Sequence, residues 1–140
     1  MAERLSKSDY ETLAAFRYRL RRFLRISEEL TQREGVTPLQ YQLLLQLKGY
    51  PGRDWATVAE LAERLQAKHH GVVALVTRCE ESGWVERRTS RGDRRMVEVH
   101  LTPAGGACLV KLARLHRAEL RSVQGGFALS ELTATEGEMR

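Results

Sequence analysis

Apolar residues recur at three- and four-residue intervals through most of the chain, and that rhythm changes once. Tyr10, Leu13, Phe16, Leu20, Phe23, Leu24 and Leu30 form a single stripe, the signature of a helix with one buried face. Ser8, followed three residues later by Glu11, reads as a capping box at its start and Gly35 as its stop, so a helix is expected over 8–35. The opposite face carries Arg17, Arg21, Arg22 and Arg25. Such a helix is not stable alone in water and must pack on the rest of the chain or on a second chain.

Similar start signals follow. Thr37-Pro38-Leu39-Gln40 combines a capping threonine, a proline preset at the first helical position and a closing glutamine, predicting a second helix to about Lys48. Gly49, Pro51 and Gly52 then make a turn. Thr57-Val58-Ala59-Glu60 opens a short helix with Leu61, Ala62 and Leu65 inward, and Gln66-Ala67 leaves room for a tight turn. Val72, Leu75, Val76 and Cys79, at i, i+3, i+4 and i+7, mark the buried face of another helix ending at Gly83. Here the period falls to two. Trp84–Arg87 and Met96–Leu101 read as strands joined by the turn-rich Thr89–Asp93, a β-hairpin. Thr102-Pro103 caps a last helix through Leu109, Leu112, Ala113, His116, Leu120 and Val123 to about Gln124, within a segment 102–128, before a short tail at 129–140.

One domain over 1–140 is therefore expected, mainly α with a small β-hairpin. The 42% hydrophobic and 29% charged residues fit a folded domain with a well-charged surface. Net charge of +5 favours polyanionic partners, which is weak evidence by itself. Cys79 and Cys108 have neither the number nor the spacing of a disulfide framework or zinc site. With no signal-peptide pattern and no apolar run near the ~18 residues of a membrane span, a cytoplasmic location without membrane attachment is expected. No Ser-His-Asp arrangement, paired carboxylates, phosphate-cradling glycine loop or metal tetrad is legible, so neither an enzyme nor a cofactor is expected.

Two consecutive helices and a hairpin, within 37–101, are the parts of a winged helix-turn-helix, whose second helix enters the DNA major groove. With Val72, Leu75, Val76 and Cys79 inward, Lys68, His69, His70, Val73, Ala74 and Thr77 face outward. Lysine and imidazole can donate to bases or phosphates, and Val73 and Ala74 can meet a thymine methyl. Arg78 is better placed for a phosphate. The hairpin adds Arg87, Arg88, Arg91, Arg94 and Arg95 against one acid, Asp93, a local charge of +4. Phosphates or a narrow minor groove relieve that repulsion. A helix-helix-hairpin can instead be a protein-binding module using its arginines on an acidic partner, which is the alternative reading.

Of the remaining chemistry-bearing residues, His69 and His70 point about 100° apart on a helix and cannot chelate one metal in the i, i+4 manner. His116 reads as a packing or subunit-interface histidine, and His100 belongs to the second wing strand. Phe16, Phe23, Tyr41 and Tyr50 are read as core rather than as a ligand pocket. Cys79 and Cys108 are read as packing thiols.

The segments Trp84-Val85-Glu86-Arg87-Arg88, Asp93-Arg94-Arg95 and Val99-His100-Leu101-Thr102-Pro103-Ala104-Gly105 resemble the signature of MarR-type regulators, with similarity from Thr37 to about Leu120. The resemblance implies that Asp93 orients the wing and that Arg95, with Arg94, reaches into the minor groove. It also implies a homodimer in which the first and last long helices serve dimerisation and two wings embrace one pseudo-palindromic operator on double-stranded DNA. Release by a small lipophilic or phenolic effector, or by cysteine oxidation, is a further implication. The chain departs from the family pattern in Lys68-His69-His70-Gly71 at the start of the reading helix, in Thr77 where an acid is common, in Gly106 after Gly105, and in a last family helix that is barely present after Ser130.

Overall fold

The computed structural model describes residues 3–122. The chain order is α1 (Lys7–Arg33), α2 (Pro38–Lys48), β1 (Trp55–Thr57), α3 (Val58–Leu65), α4 (His69–Glu81), β2 (Val85–Thr89), β3 (Val97–Leu101) and α5 (Pro103–Ser122). The expected continuation of the last helix beyond Ser122 and the tail at 129–140 lie outside the described residues.

Two capping boxes form where the sequence places them. Thr37 Oγ1 accepts from the Gln40 amide at 3.1 Å while Gln40 Oε1 accepts from the Thr37 amide at 2.9 Å. Thr57 and Glu60 make the same exchange at 3.2 and 2.9 Å. The first box is displaced: α1 is capped by Ser6 with Asp9, at 3.2 and 2.8 Å, rather than by Ser8 with Glu11. Ser8 is already inside the first turn, where its carbonyl accepts from the Thr12 hydroxyl. Both pairs satisfy the box spacing, and two residues of extra helix favour the earlier one.

α2 is the centre of the core. Leu43, Leu44 and Leu47 are fully buried against Leu61 of α3, Val72 and Val76 of α4, Ala56, Val85 and Val99 of the sheet, and Leu112 of α5. The turn from α3 to α4 is made by Gln66 in the left-handed region at φ 50°, an uncommon conformation for a side chain other than glycine. Its amide side chain donates back to Glu63 O at 2.8 Å, and Ala67 N donates to Ala62 O at 3.0 Å.

The sheet has three antiparallel strands in the order β1-β3-β2, not two. Val85 pairs with Leu101 and Thr89 with Val97, while Trp55 pairs with His100 and Thr57 with Glu98. The predicted hairpin is present, shifted by one or two residues, with Trp84 and Met96 outside its strands. β1 escapes pattern reading because three residues are too few to show alternation and its last, Thr57, is also the α3 cap.

Glu60 ties this corner together. One carboxylate oxygen caps α3; the other accepts from the Tyr50 hydroxyl at 2.6 Å and pairs with Arg53. The Arg53 guanidinium lies over the rings of Tyr50 and Trp55, at 4.3 and 4.0 Å. Burial pushes the Glu60 carboxyl up, but the hydrogen bonds from Tyr50, Thr57 and Arg53 outweigh it and hold the pKa at about 2 instead of 4.5. The unfolded chain therefore binds that proton first. Stability from Glu60 is complete above pH 4.5 and is lost as pH falls toward about 2. In thermal melts across that window, Glu60→Gln should start less stable than the parent and approach it as the acid is titrated. An unchanged stability gap would contradict the assignment.

α1 joins through a buried polar contact. His116 Nδ1 lies 2.8 Å from Leu112 O, which can only accept, so Nδ1 carries the proton and, in the neutral ring, Nε2 accepts from the Ser27 hydroxyl at 2.8 Å. The ring stacks on Tyr41 at 4.2 Å. His116 is thus a satisfied packing histidine between α1, α2 and α5.

Candidate nucleic-acid interface

α4 divides as its periodicity predicts. Val72, Leu75, Val76 and Cys79 are buried, and Lys68, His69, His70, Val73, Ala74, Thr77 and Arg78 are exposed. Lys68 is the N-cap, and no side chain caps the first turn, which leaves amide donors at that end for solvent or an anion. Cys79 is fully buried and its thiol is pushed up to about 11 by desolvation. Burial likewise raises Cys108. Both thiols are therefore weak nucleophiles at neutral pH, as packing groups should be.

The five hairpin arginines fall into distinct groups. Arg87 is a clamp: its guanidinium donates to Glu80 Oε1 at 2.8 Å, Thr77 Oγ1 at 2.9 Å and Val73 O at 3.3 Å, and its backbone amide donates to Glu80 Oε2 at 3.1 Å. Arg88 pairs with Glu86 on its own strand, with Nε 2.7 Å from Oε1. The charge left free on the hairpin is thus concentrated at its tip.

There the loop closes through Ser90 N to Met96 O and Met96 N to Asp93 O, each 3.0 Å. Asp93 Oδ1 accepts from the Arg95 backbone amide at 2.9 Å and lies 3.7 Å from Arg95 Nε. The Arg95 side chain is 94% exposed, and Arg91 and Arg94 are exposed beside it. Thr77, read as an outward donor, is exposed, but its hydroxyl already donates to Val73 O at 3.1 Å and accepts from Arg87.

Sequence reasoning grouped Arg87 with the free wing charge, because spacing along a strand does not reveal which face meets α4. The signal lay in Glu80, one of few acids on α4 and seven residues before Arg87. The stacking of Arg53 between Tyr50 and Trp55 was not legible either, since it depends on the unforeseen β1. His100, on β3, stacks on Trp55 at 5.9 Å and lies 2.9 Å from Glu98 Oε1. Among the described residues no cluster of three or more His, Cys, Asp or Glu is close enough to hold a metal ion, and no helix is long and apolar enough to cross a membrane.

The sequence profile of the MarR family matches residues 34–96, from the end of α1 into the wing. A putative transcriptional regulatory protein for the hcr operon of Thauera aromatica is 33% identical over 102 residues, 73% of this chain and 58% of that protein. The chain thus spans little more than half the length of this relative. Among solved structures, a MarR family transcription regulator is 32% identical with a TM-score of 0.75, covering 93% of this chain and 84% of that one. A MarR family regulator from Streptomyces coelicolor, solved in complex with DNA, superposes with a TM-score of 0.77 over 99% of this chain and 87% of its own, at 23% identity, a likeness of fold. Helix order, wing and these identities agree, and the chain belongs to the MarR family.

Proposed function

We propose that this chain binds double-stranded DNA as a sequence-specific transcriptional regulator, a homodimeric repressor released by a small lipophilic or phenolic effector. The observation that carries the DNA-binding reading is the Arg87 clamp. By bonding Thr77 and the Val73 carbonyl on the outward side of α4, it sets the exposed surface of that helix beside the strand from which the arginine tip projects. A helix face with imidazoles and a lysine next to a cationic loop is what major-groove reading with an adjacent minor-groove or phosphate contact requires. Lys68, His69, His70, Val73 and Ala74 take the groove, Arg78 a phosphate, and Arg91, Arg94 and Arg95 the flanking minor groove, with Asp93 holding the loop. The relatives are transcriptional regulators, and no enzymatic role is proposed.

Homodimerisation is supported by apolar residues on the terminal helices that the single chain leaves uncovered: Leu13 is 58% exposed, Leu24 45% and Leu120 43%. Capture of genomic fragments by the full chain, followed by sequencing, tests the function. An enriched, pseudo-palindromic site is expected. No enrichment at low salt would favour the protein-binding alternative.

Arg87 is a positioning residue in this account. Arg87→Met keeps the aliphatic stem but releases Glu80 and Thr77, and should weaken DNA binding about tenfold, the loss of roughly one charge-assisted hydrogen bond. The slope of log affinity against log salt should stay unchanged, because no phosphate contact is removed. A slope shallower by about one would make Arg87 a phosphate ligand instead.

A further inference from the structure

The winged-helix reading leaves one strongly charged surface unexplained. Arg17, Arg21, Arg22 and Arg25 are all exposed on α1, and no acidic residue lies between Arg17 and Arg25 in the sequence. Arg25 pairs with Glu29 at 3.3 Å in solvent, whereas among the described residues Arg17, Arg21 and Arg22 meet no carboxylate. Arg22 lies 5.8 Å from the ring centroid of Tyr18, which is 63% exposed. At 100° per residue Tyr18, Arg21, Arg22 and Arg25 occupy the side of the helix opposite Ser27, Leu30 and Thr31, the residues it buries, and Arg17 stands at the flank, about 40° from Thr31.

That placement fixes where the ridge points. α1 packs on α2 and α5, and α2 in turn packs on α3, α4 and the sheet. A face of α1 turned away from α2 and α5 is therefore turned away from α4 and the wing. At 100° per residue the exposed Leu13 and Leu24 lie about 20–40° from Arg17 but about 60° or more from Arg21, Arg22 and Arg25, so a dimer built on that edge does not have to bury the last three guanidiniums, which would be costly without acidic partners.

We propose that this ridge is a second contact for the phosphate backbone of double-stranded DNA, letting a DNA-bound molecule hold another duplex segment. From Arg17 to Arg25 the helix rises about 12 Å, against one phosphate per about 3.4 Å of axis on each strand, so the ridge spans about three phosphates. Arginine forks suit phosphate oxygens. A lipid surface fits poorly, because the uncovered apolar residues of α1 that would enter it, Leu13 and Leu24, are those the proposed dimer covers. A DNA-bound chain also meets neighbouring duplex at high local concentration, which an acidic protein partner would have to match.

The test uses the full chain loaded on a bead-bound duplex and a second, fluorescent duplex of unrelated sequence. Wild type should capture the second duplex, and capture should fall with salt. Arg17→Gln/Arg21→Gln/Arg22→Gln should reduce capture about tenfold while binding to the first duplex stays within about twofold. The corresponding triple lysine variant should retain most of the capture, and matched circular dichroism shows that α1 is intact. Failure of loading on the first duplex indicts the winged-helix reading. Normal loading with no second-duplex capture, or equal capture by the glutamine variant, overturns the ridge proposal. Stronger displacement by polyglutamate than by duplex at equal charge overturns it too, in favour of an acidic protein.

Discussion

Gly105→Ala should lower the stability of the chain by about 3 kcal/mol or more, a large part of the roughly 5–15 kcal/mol typical of a small domain. A Cβ at this position would stand 1.9 Å from the Trp84 carbonyl oxygen and 2.8 Å from its carbon. These are backbone atoms, and they are held. Trp84 O accepts from Thr102 N at 3.0 Å, and the Thr102 hydroxyl both donates to Gly83 O at 2.6 Å and accepts from Gly105 N at 3.0 Å. The first turn of α5 is laced to the entry of β2, so a methyl group can be admitted only by separating the two. Gly106→Ala is the control. Its Cβ would meet nothing within 4 Å, and alanine should raise stability by about 0.5–1 kcal/mol through helix propensity. Urea titrations of the two variants check the contrast. A Gly105→Ala chain within about 1 kcal/mol of wild type would show that α5 can move off the wing.

The second large effect concerns the tip of the wing. Arg94→Ala/Arg95→Ala should cost at least tenfold in affinity for duplex DNA near physiological salt, and should make the salt slope shallower by about two, at ~0.9 for each phosphate the protein no longer neutralises. Little stability should change, since the Arg95 side chain is 94% exposed and its one ion pair is long, at 3.7 Å. The comparison with Arg87→Met matters here: both variants weaken binding, but only the tip variant changes the salt slope. If the tip variant binds with the parent slope, the arginines are solvated charge and the wing does not touch DNA.

Much of this arrangement was legible in the sequence alone. Periodicity located the buried face of α4 to the residue, through Val72, Leu75, Val76 and Cys79, because a helix packed on one side has few ways to bury four apolar residues. Capping chemistry placed α2 and α3 for the same reason, since Thr37-Gln40 and Thr57-Glu60 satisfy local donors whatever the tertiary context. At α1 the box read at Ser8 and Glu11 gave way to Ser6 and Asp9, which have the same spacing and lengthen the helix.

What was not legible depends on non-local pairing. β1 exists because Ala56 sits opposite Val99, more than forty residues away, and three residues carry no period of their own. Arg87 and Arg95 look alike in a charge count. One is spent on Glu80 and Thr77 while the other projects into solvent, and the difference is which face of β2 meets α4. Gly105 and Gly106 look alike too. Only the structure separates them: close packing falls at Gly105, whose missing side chain faces Trp84, and open space at Gly106.

In the proposed complex, α4 and the wing tip together contact one DNA duplex. Photo-crosslinking from an amino acid installed at position 70 on α4, at position 92 on the wing loop, or at position 48 on α2 as a control, tests it on a captured genomic fragment. Cross-links to bases are expected from position 70, cross-links to flanking minor-groove or backbone positions from 92, and none from 48. DNA that binds without cross-linking from either 70 or 92 would contradict it.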